Sequence, residues 1–222
     1  MTSSNDNRML VIDSATEACS VALFENGELL AGDYRLLGRG HAEALVPMIA
    51  ALPGRGRAGR IAVALGPGSF TGVRVGLAAA RGLALAWGAD VVGYPSLDLV
   101  AAIARAESGA RPVAVAMTGG HGEWFIEGYD ADGTIARPLA SLRPAEAAAA
   151  SPEELAAGTQ AKALVAARQS GEALEIWPDA RRVTLLPSST FTTDIQPLYG
   201  RAPDAKPMAA RAATDTKGAA QR

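Results

Sequence analysis

The chain has 222 residues, 49% of them hydrophobic and 20% charged, a composition typical of a water-soluble globular protein. Its formal net charge of −2 and pI near 5.7 argue against independent binding of tRNA or DNA, which usually needs a basic surface. The single cysteine, Cys19, excludes a disulfide framework, and no apolar stretch is long enough to cross a membrane. We therefore expect a cytoplasmic protein with no membrane association.

The first forty residues predict three strands joined by a loop and a tight turn. Met9–Asp13 is a short apolar run, which is typical of a buried strand. Asn26 and Gly27 separate two further strand-like segments, residues 19–25 and 28–34. This dipeptide is a strong hairpin signal because both turn positions favour a positive φ.

Helices and strands then alternate through the rest of the first half. Leu45, Met48 and Ile49 recur at helical spacing, which predicts a helix from residue 41 to residue 52 with Pro47 inside it. The same criteria predict strands at 61–65 and 91–93, and helices at 70–87 and 97–106.

The opening pattern returns in the second half, where strands are predicted at residues 113–117, 123–129 and 134–139. We expect helical structure between residues 144 and 168, and a late strand at 195–199. Two three-stranded meanders, each followed by helices, indicate an α/β architecture of the duplicated actin-like ATPase (ASKHA) type. The expected organisation is a disordered start (1–7), a first lobe (8–109), a smaller second lobe (110–201) and a disordered tail (202–222).

The loop after the first strand contains Asp13, Ser14 and Thr16 and admits two interpretations. In an actin-like ATPase, an acid and hydroxyls at this position meet phosphates and their metal ion. The favoured alternative is a polar turn whose side chains bond the local backbone. The matching loop of the second half begins at Thr118 and carries no carboxylate there. Since a phosphate clamp needs ligands from both sides, this weakens an ATPase function.

The segment 66–72, with the sequence GPGSFTG, matches no catalytic or phosphate-binding motif. It lacks the lysine of a P-loop, the glycine spacing of a dinucleotide fingerprint and the flanking glycines of a hydrolase elbow. What remains is a turn from a strand into a helix, with Ser69 as the expected helix cap. The two histidines, His41 and His121, show no spacing that supports a catalytic triad, and a partly exposed side chain is the simplest interpretation of His41.

The predicted helix 70–87 is apolar on nearly all sides, which indicates burial on more than one face. Gly72, Gly76 and Ala80 form a narrow face of small residues. Glycine inside a helix costs about 1 kcal/mol relative to alanine, so two of them suggest a close approach by another element. The residues alone leave two candidates open, the sheet of the same subunit or a helix of another subunit.

The sequence resembles the TsaB family, also called YeaZ. Two motifs in the first half carry the resemblance, DSATEACSVAL at residues 13–23 and GPGSFTGVRVG at residues 66–76. Val91, Val92 and Gly93 support them, and the PLYGR segment at residues 197–201 resembles the final strand of the family. The second motif is long and specific.

The resemblance implies an actin-like fold and a supporting role without catalytic residues, cofactor or metal. A TsaD homologue would be the heterodimeric partner and would transfer threonylcarbamoyl from threonylcarbamoyl-AMP to N6 of the adenosine next to the anticodon. Its substrates would be tRNAs reading codons that begin with A, the ATPase TsaE would join the pair, and the chain would meet tRNA only indirectly. The metal-binding histidines of TsaD correspond here to Ser96 and Val100, so those ligands are absent.

The resemblance also favours a partner interface on the helices at 41–52 and 70–87. The expected interface residues are His41, Leu45, Met48, Phe70, Gly72, Val73, Arg74, Gly76 and Ala80. On this resemblance, Asp13, Ser14 and Thr16 form a vestigial phosphate loop, which no longer binds phosphate. Whether the isolated chain forms a homodimer is left open by the sequence. The alternative functions are an actin-like ATPase or small-molecule kinase, a peptidase, and a structural dimer unrelated to tRNA modification.

Overall fold

The computed structural model describes residues 7–200. The disorder expected at residues 1–7 and 202–222 lies outside this part of the chain, apart from Asn7. The described residues form two mixed five-stranded sheets with helices packed on them. Among them, no helix is long and apolar enough to span a membrane.

The first sheet has the strand order β3-β2-β1-β4-β5. Strands β1 to β3 form an antiparallel meander, and β4 and β5 continue the sheet in parallel with β1. The elements of this half are β1 (Arg8–Asp13), β2 (Ala18–Glu25), β3 (Glu28–Leu36), α1 (His41–Ala51), β4 (Arg60–Ala64), α2 (Phe70–Trp87), β5 (Asp90–Tyr94) and α3 (Ser96–Ser108).

The second sheet repeats this topology in the order β10-β9-β6-β7-β8. Its meander is also antiparallel, and its two remaining strands are also parallel to the central strand. The elements are β6 (Val113–Thr118), β7 (Trp124–Tyr129), β8 (Ile135–Leu142), α4 (Pro144–Ala150), β9 (Leu155–Ala157), α5 (Ala161–Arg168) and β10 (Glu172–Leu174). Short 3₁₀ turns follow at Ala180–Leu185 and Ser188–Thr190.

This equivalence confirms the duplicated architecture predicted from the two meanders. The central strands β1 and β6 occupy the same place in their sheets, and their last residues, Asp13 and Thr118, are therefore equivalent. A continuous apolar core joins α3 to strands of both sheets.

Two sequence-based expectations for the second half are wrong. The region 144–168 is not helical throughout, because β9 lies between α4 and α5 and pairs in parallel with β6. Residues 195–199 form no strand. This segment is irregular, although the N–H of Leu198 donates to the carbonyl oxygen of Leu65, directly after β4, at 2.8 Å. An isolated bridge between Gly93 and Thr192 precedes it.

Candidate functional site

A cleft of about 650 Å³ lies between the two halves, beside the ends of the equivalent strands β1 and β6. The first half contributes the β1–β2 loop and the start of α2, and the second half contributes the loop after β6. The chain returns to this cleft at its described end. The residues lining it include Thr16, Glu17, Ser69, Phe70, Arg74, Met117, Thr118, His121, Phe125, Thr159, Leu198 and Tyr199.

The start of α2 is fixed by a tight turn against the β1–β2 loop. The backbone N–H of Ser69 donates to the carbonyl oxygen of Ala15 at 2.6 Å. A Cβ atom at Gly68 would overlap that same carbonyl group, which explains the glycine. The Ser69 hydroxyl accepts from the N–H of Gly72 at 3.2 Å, which confirms the predicted helix cap.

Asp13 lies in the interior and does not line the cleft. Its carboxylate accepts from the N–H of Ala15 at 3.1 Å and from the hydroxyl of Tyr94 at 3.1 Å. Burial raises the pKa of Asp13 from 3.8 to about 7, and these two hydrogen bonds oppose the shift only in part. A carboxylate held in this way is poorly placed to bind a metal ion or phosphate in the cleft.

The other residues of the proposed phosphate loop divide between the interior and the cleft. The buried Ser14 hydroxyl donates to the carbonyl oxygen of Gly72 at 2.8 Å and so ties the loop to α2. Thr16 does line the cleft, but its hydroxyl accepts from the N–H of Ala18 at 3.2 Å. These bonds to nearby backbone are those expected of a polar turn.

The opposite side of the cleft is neutral where the strand β6 ends. The hydroxyl groups of Thr118 and Thr159 are 3.0 Å apart, and the amide nitrogen of Gln160 donates to Thr118 at 2.9 Å. His121 lines this side, in a left-handed backbone conformation with φ 59°. Hydroxyl groups here cannot supply the negative charge with which a carboxylate holds a divalent cation.

An aromatic wall closes one end of the cleft. The Arg74 guanidinium lies 3.4 Å from the centroid of the Phe70 ring and donates to the Tyr199 hydroxyl at 2.9 Å. The Phe70 and Tyr199 rings are 6.0 Å apart, centroid to centroid. Phe70 is 59% exposed despite these contacts. The wall therefore presents ring faces and one guanidinium to the cleft.

The cleft can bind through ring faces, hydroxyls and one guanidinium, but it brings no two carboxylates together. Glu17 is the one acidic residue among its described lining residues. Within residues 7–200, no three His, Cys, Asp or Glu side chains lie close enough to hold a metal ion. This arrangement differs from the paired acidic groups that general acid–base or metal-dependent catalysis uses.

The structure places most of the expected interface residues inside the first half of the molecule. A Cβ atom at Gly72 would overlap the carbonyl oxygen of Ser14, and one at Gly76 would lie 2.6 Å from the Ser14 hydroxyl and 3.5 Å from Val63. The small-residue face of α2 therefore packs on its own sheet and is not a surface for a partner. The buried members of the expected set are His41, Leu45, Met48, Gly72, Val73, Gly76 and Ala80.

Three of the expected site residues need separate comment. His41 is only 8% exposed, which corrects the expectation of a partly exposed side chain, and among the described residues its Nε2 has no hydrogen-bond partner. Phe70 and Arg74 are exposed, but they face the cleft and the segment around Tyr199.

A different face of the same two helices is exposed and apolar. We call it the α1–α2 outer face. It consists of Val46, Pro47 and Ala50 on α1 and of Thr71, Val75, Ala78, Gly82, Leu85 and Ala86 on α2, of which Val75 is half-buried and the others are exposed. The α2 residues recur at helical spacing and share one side of the helix. Sequence reasoning missed this face, although a second series of small residues on an all-apolar helix was a usable signal.

Comparisons with known proteins agree with this fold. The family model described as tRNA N6-adenosine threonylcarbamoyltransferase (TsaD) matches residues 35–176. The tRNA threonylcarbamoyladenosine biosynthesis protein TsaB of Escherichia coli is 38% identical over 130 residues, which cover 56% of each chain. The protein of the same name in Haemophilus influenzae is 42% identical over 98 residues, covering 42% of this chain and 40% of that protein. The matched stretches thus span about half the length of these relatives.

A solved structure extends the similarity to nearly the whole chain. YeaZ from Pseudomonas aeruginosa superposes with a TM-score of 0.73 at 29% identity, covering 87% of this chain and 99% of that one. Together with the duplicated sheets, this similarity defines a two-lobe α/β protein of the actin-like ASKHA class. Within that class, the chain belongs to the TsaD-related family and, in it, to the TsaB (YeaZ) proteins.

Proposed function

We propose that this chain is a non-catalytic scaffold subunit in the biosynthesis of threonylcarbamoyladenosine in tRNA. It would pair with a TsaD homologue, which transfers threonylcarbamoyl to the tRNA, and the ATPase TsaE would join them. The names of the relatives from Escherichia coli and Haemophilus influenzae place those proteins in this biosynthesis. The role of a scaffold and the identity of its partners are our inference.

The observation that carries the proposal is the α1–α2 outer face. Most side chains on its α2 side are small or β-branched, the exception Leu85 is 89% exposed, and Val46 on α1 is 56% exposed. Small side chains let the backbone of a second helix approach closely, so that many atoms make van der Waals contact. An exposed apolar face of this kind, with Leu85 projecting from it, suits a helical partner.

Gly82 gives the most specific support for a partner. It lies inside α2, where glycine costs about 1 kcal/mol relative to alanine. Unlike Gly72 and Gly76, it has no packing neighbour that explains this cost among the described residues, because a Cβ atom at Gly82 would meet nothing within 4 Å. Close approach of another chain would explain why the position lacks a side chain.

The chemistry of the cleft supports an accessory rather than a catalytic role. An actin-like kinase or ATPase would need acidic groups facing the phosphates from both lobes. Here Asp13 is turned toward Tyr94, and its equivalent in the second sheet is Thr118. The cleft therefore favours the scaffold over the kinase or ATPase alternative.

The test is reconstitution of threonylcarbamoyl transfer from purified TsaD and TsaE proteins of the same organism, with and without this chain. We expect transfer to require the chain. Gly82→Leu should weaken the pairing with TsaD about tenfold to a hundredfold, because overpacking a close-fitting surface costs about 1–3 kcal/mol. Calorimetric titration would measure the affinity.

Ala106→Leu is the matched control, since Ala106 is an exposed small residue on α3, away from the outer face. It should leave the pairing unchanged. Full transfer without the chain would refute the scaffold role, as would ATP hydrolysis by the pure chain that Asp13→Ala abolishes. Unchanged affinity of Gly82→Leu for TsaD would refute the outer face as the interface.

A further inference from the structure

The loop that joins α1 to β4, together with the first residue of β4, concentrates positive charge at one end of the first sheet. Its sequence from residue 53 to residue 60 is PGRGRAGR, so that arginine occurs three times in six positions. Arg55, Arg57 and Arg60 are all exposed. Arg8 lies beside them, since its Nη1 atom would be 3.2 Å from a Cβ atom placed on Gly54. We call Arg55, Arg57 and Arg60 the arginine edge.

The guanidinium groups of the arginine edge are unpaired within the part of the chain that the structure describes. This sets them apart from six other arginines in the described part of the chain. Guanidinium groups elsewhere pair with carboxylates, namely those of Arg8, Arg35, Arg111, Arg137, Arg181 and Arg182. The acidic residues near the edge are Glu25, which pairs with Arg8, its strand neighbour Glu28, and Asp90, which stands opposite Arg60.

The backbone presents these arginines in an unusual conformation. Gly54, Arg55 and Gly56 all have positive φ, at 61°, 58° and 70°. For Arg55 this left-handed conformation is unfavourable and persists only because the surroundings impose it. Gly56 is packed against the end of α1, where a Cβ atom would lie 2.8 Å from the Ile49 side chain. The loop thus holds Arg55 outward in a fixed geometry.

We propose that the arginine edge binds the phosphate backbone of RNA, and that in the complex it contacts the tRNA directly. Guanidinium groups bind phosphate oxygens in a bidentate manner, and such contacts position a nucleic acid without reading its sequence. The tRNA assignment rests on the proposed function. The overall acidic charge led us to expect that this chain meets tRNA only through its partners. Direct contact goes beyond that expectation, because three unpaired arginines make a local basic site on an acidic protein.

The composition of the edge favours RNA over an acidic protein partner. Between the arginines the loop has only glycine and alanine, and Ala58 is buried. The hot spots of protein interfaces combine arginine with tryptophan and tyrosine in well-packed, desolvated pockets. This loop supplies arginine but no aromatic side chain. The loop also follows α1 directly, so it borders the α1–α2 outer face. An RNA held by a partner on that face could continue onto the edge.

The experiment measures binding of the full-length chain to a fluorescently labelled, unmodified tRNA transcript by anisotropy at several salt concentrations. The triple variant Arg55→Gln, Arg57→Gln, Arg60→Gln should bind at least about tenfold more weakly. Its slope of log affinity against log salt should fall by about 2 to 3, as expected when three phosphate contacts are lost. The control triple Arg35→Gln, Arg111→Gln, Arg182→Gln removes the same charge from paired arginines elsewhere and should change affinity less than about twofold.

Arg55→Gly separates binding from folding, because glycine adopts the left-handed conformation without strain. It should raise the melting temperature and still weaken tRNA binding. Equal affinity of the two triple variants would overturn the proposal, as would the absence of tRNA binding by the natural chain at low salt. Displacement of the tRNA by polyglutamate at equal charge concentration would assign the edge to an acidic protein instead. The edge triple should still pair with TsaD, so failure of this proposal is distinguishable from failure of the scaffold role.

Discussion

Glycine serves two different purposes on α2. Gly72 and Gly76 allow the helix to touch the β1–β2 loop, where the hydroxyl of Ser14 bonds the carbonyl oxygen of Gly72. Gly82 faces open space. The residue type is the same in all three cases, and only the surroundings distinguish a packing requirement from a candidate contact with another chain.

Two alanine substitutions on this one helix should therefore change stability in opposite directions. Gly72→Ala should lower the free energy of unfolding by about 1–3 kcal/mol or more, because its methyl group overlaps the backbone of Ser14. Gly82→Ala should raise it by up to about 1 kcal/mol through helix propensity alone. Urea denaturation of the isolated chain measures both. If Gly72→Ala were as stable as the natural chain, the packing of α2 described above would be wrong.

The buried carboxyl group of Asp13 should make stability depend on pH. Burial raises its pKa from 3.8 to about 7, so the folded state favours the protonated form. The stabilisation from that proton is complete below pH 3.8 and is lost as the pH rises through about 7. Above that pH the folded state carries a penalty of about 4 kcal/mol at most.

Asp13→Asn should remove this dependence, because a neutral amide needs no proton. The variant should be more stable than the natural chain at pH values above about 7 and similar to it near about pH 4. Asp90→Asn, at an exposed position, is the control and should leave the pH profile unchanged. Parallel stability curves for the natural chain and Asp13→Asn from about pH 4 to about pH 8 would contradict the assignment.

At the scale of elements, α2 is apolar nearly all round because it meets a different environment on each side. Its inner face packs on the first sheet. One flank is crossed by the segment near the described end of the chain, where Arg81 donates to the carbonyl oxygen of Ile195 and Arg74 to the hydroxyl of Tyr199. The remaining side is the outer face. Within residues 7–200 this side is left largely exposed, which is why we propose it as the partner surface.

Periodicity and turn chemistry were enough to predict most elements, including the bounds of α2 and the Ser69 cap. They failed for β9, since three residues of the sequence LAA become a strand only through pairing with β6, a contact remote in sequence. They also could not orient α2, which has two series of small residues, and left its small-residue face open between its own sheet and a partner. The resemblance then placed Gly76 at a partner interface, whereas Gly76 packs against Ser14 and Val63. The inward position of Asp13 depends on Tyr94, which lies 81 positions away in the chain.

At the scale of the whole molecule, the two halves are joined by a buried polar contact as well as by the apolar core. The hydroxyl of Tyr129 on β7 lies 2.8 Å from a carboxylate oxygen of Asp98 on α3 and 2.7 Å from one of Glu127. A phenol has one proton and cannot donate to both. The cluster is therefore complete only when one of the two carboxyl groups is itself protonated and donates in turn.

Burial is the main cause that raises the pKa of both Asp98 and Glu127 above their ordinary values of 3.8 and 4.5, while the hydroxyl of Tyr129 opposes the shift. Arg137 and the backbone N–H of Leu139 also lower the pKa of Glu127, and the charge of Asp98 raises it. Since the folded state favours the protonated forms, this contact between the halves should weaken as the pH rises above 4.5.

Glu127→Gln should preserve the contact at all pH values, because the amide can donate to the Tyr129 oxygen while that hydroxyl donates to Asp98. The comparison is made in the Asp13→Asn background, which removes the acid of raised pKa outside this cluster. There, we expect the stability of the Glu127→Gln variant to fall less with rising pH than that of the protein that keeps Glu127. The difference in the free energy of unfolding between these two proteins should grow by about 1–2 kcal/mol from about pH 5 to about pH 8. Glu43→Gln removes an exposed carboxylate and is the control. Parallel melting curves with and without Glu127→Gln would show that no proton is shared at this junction between the two halves.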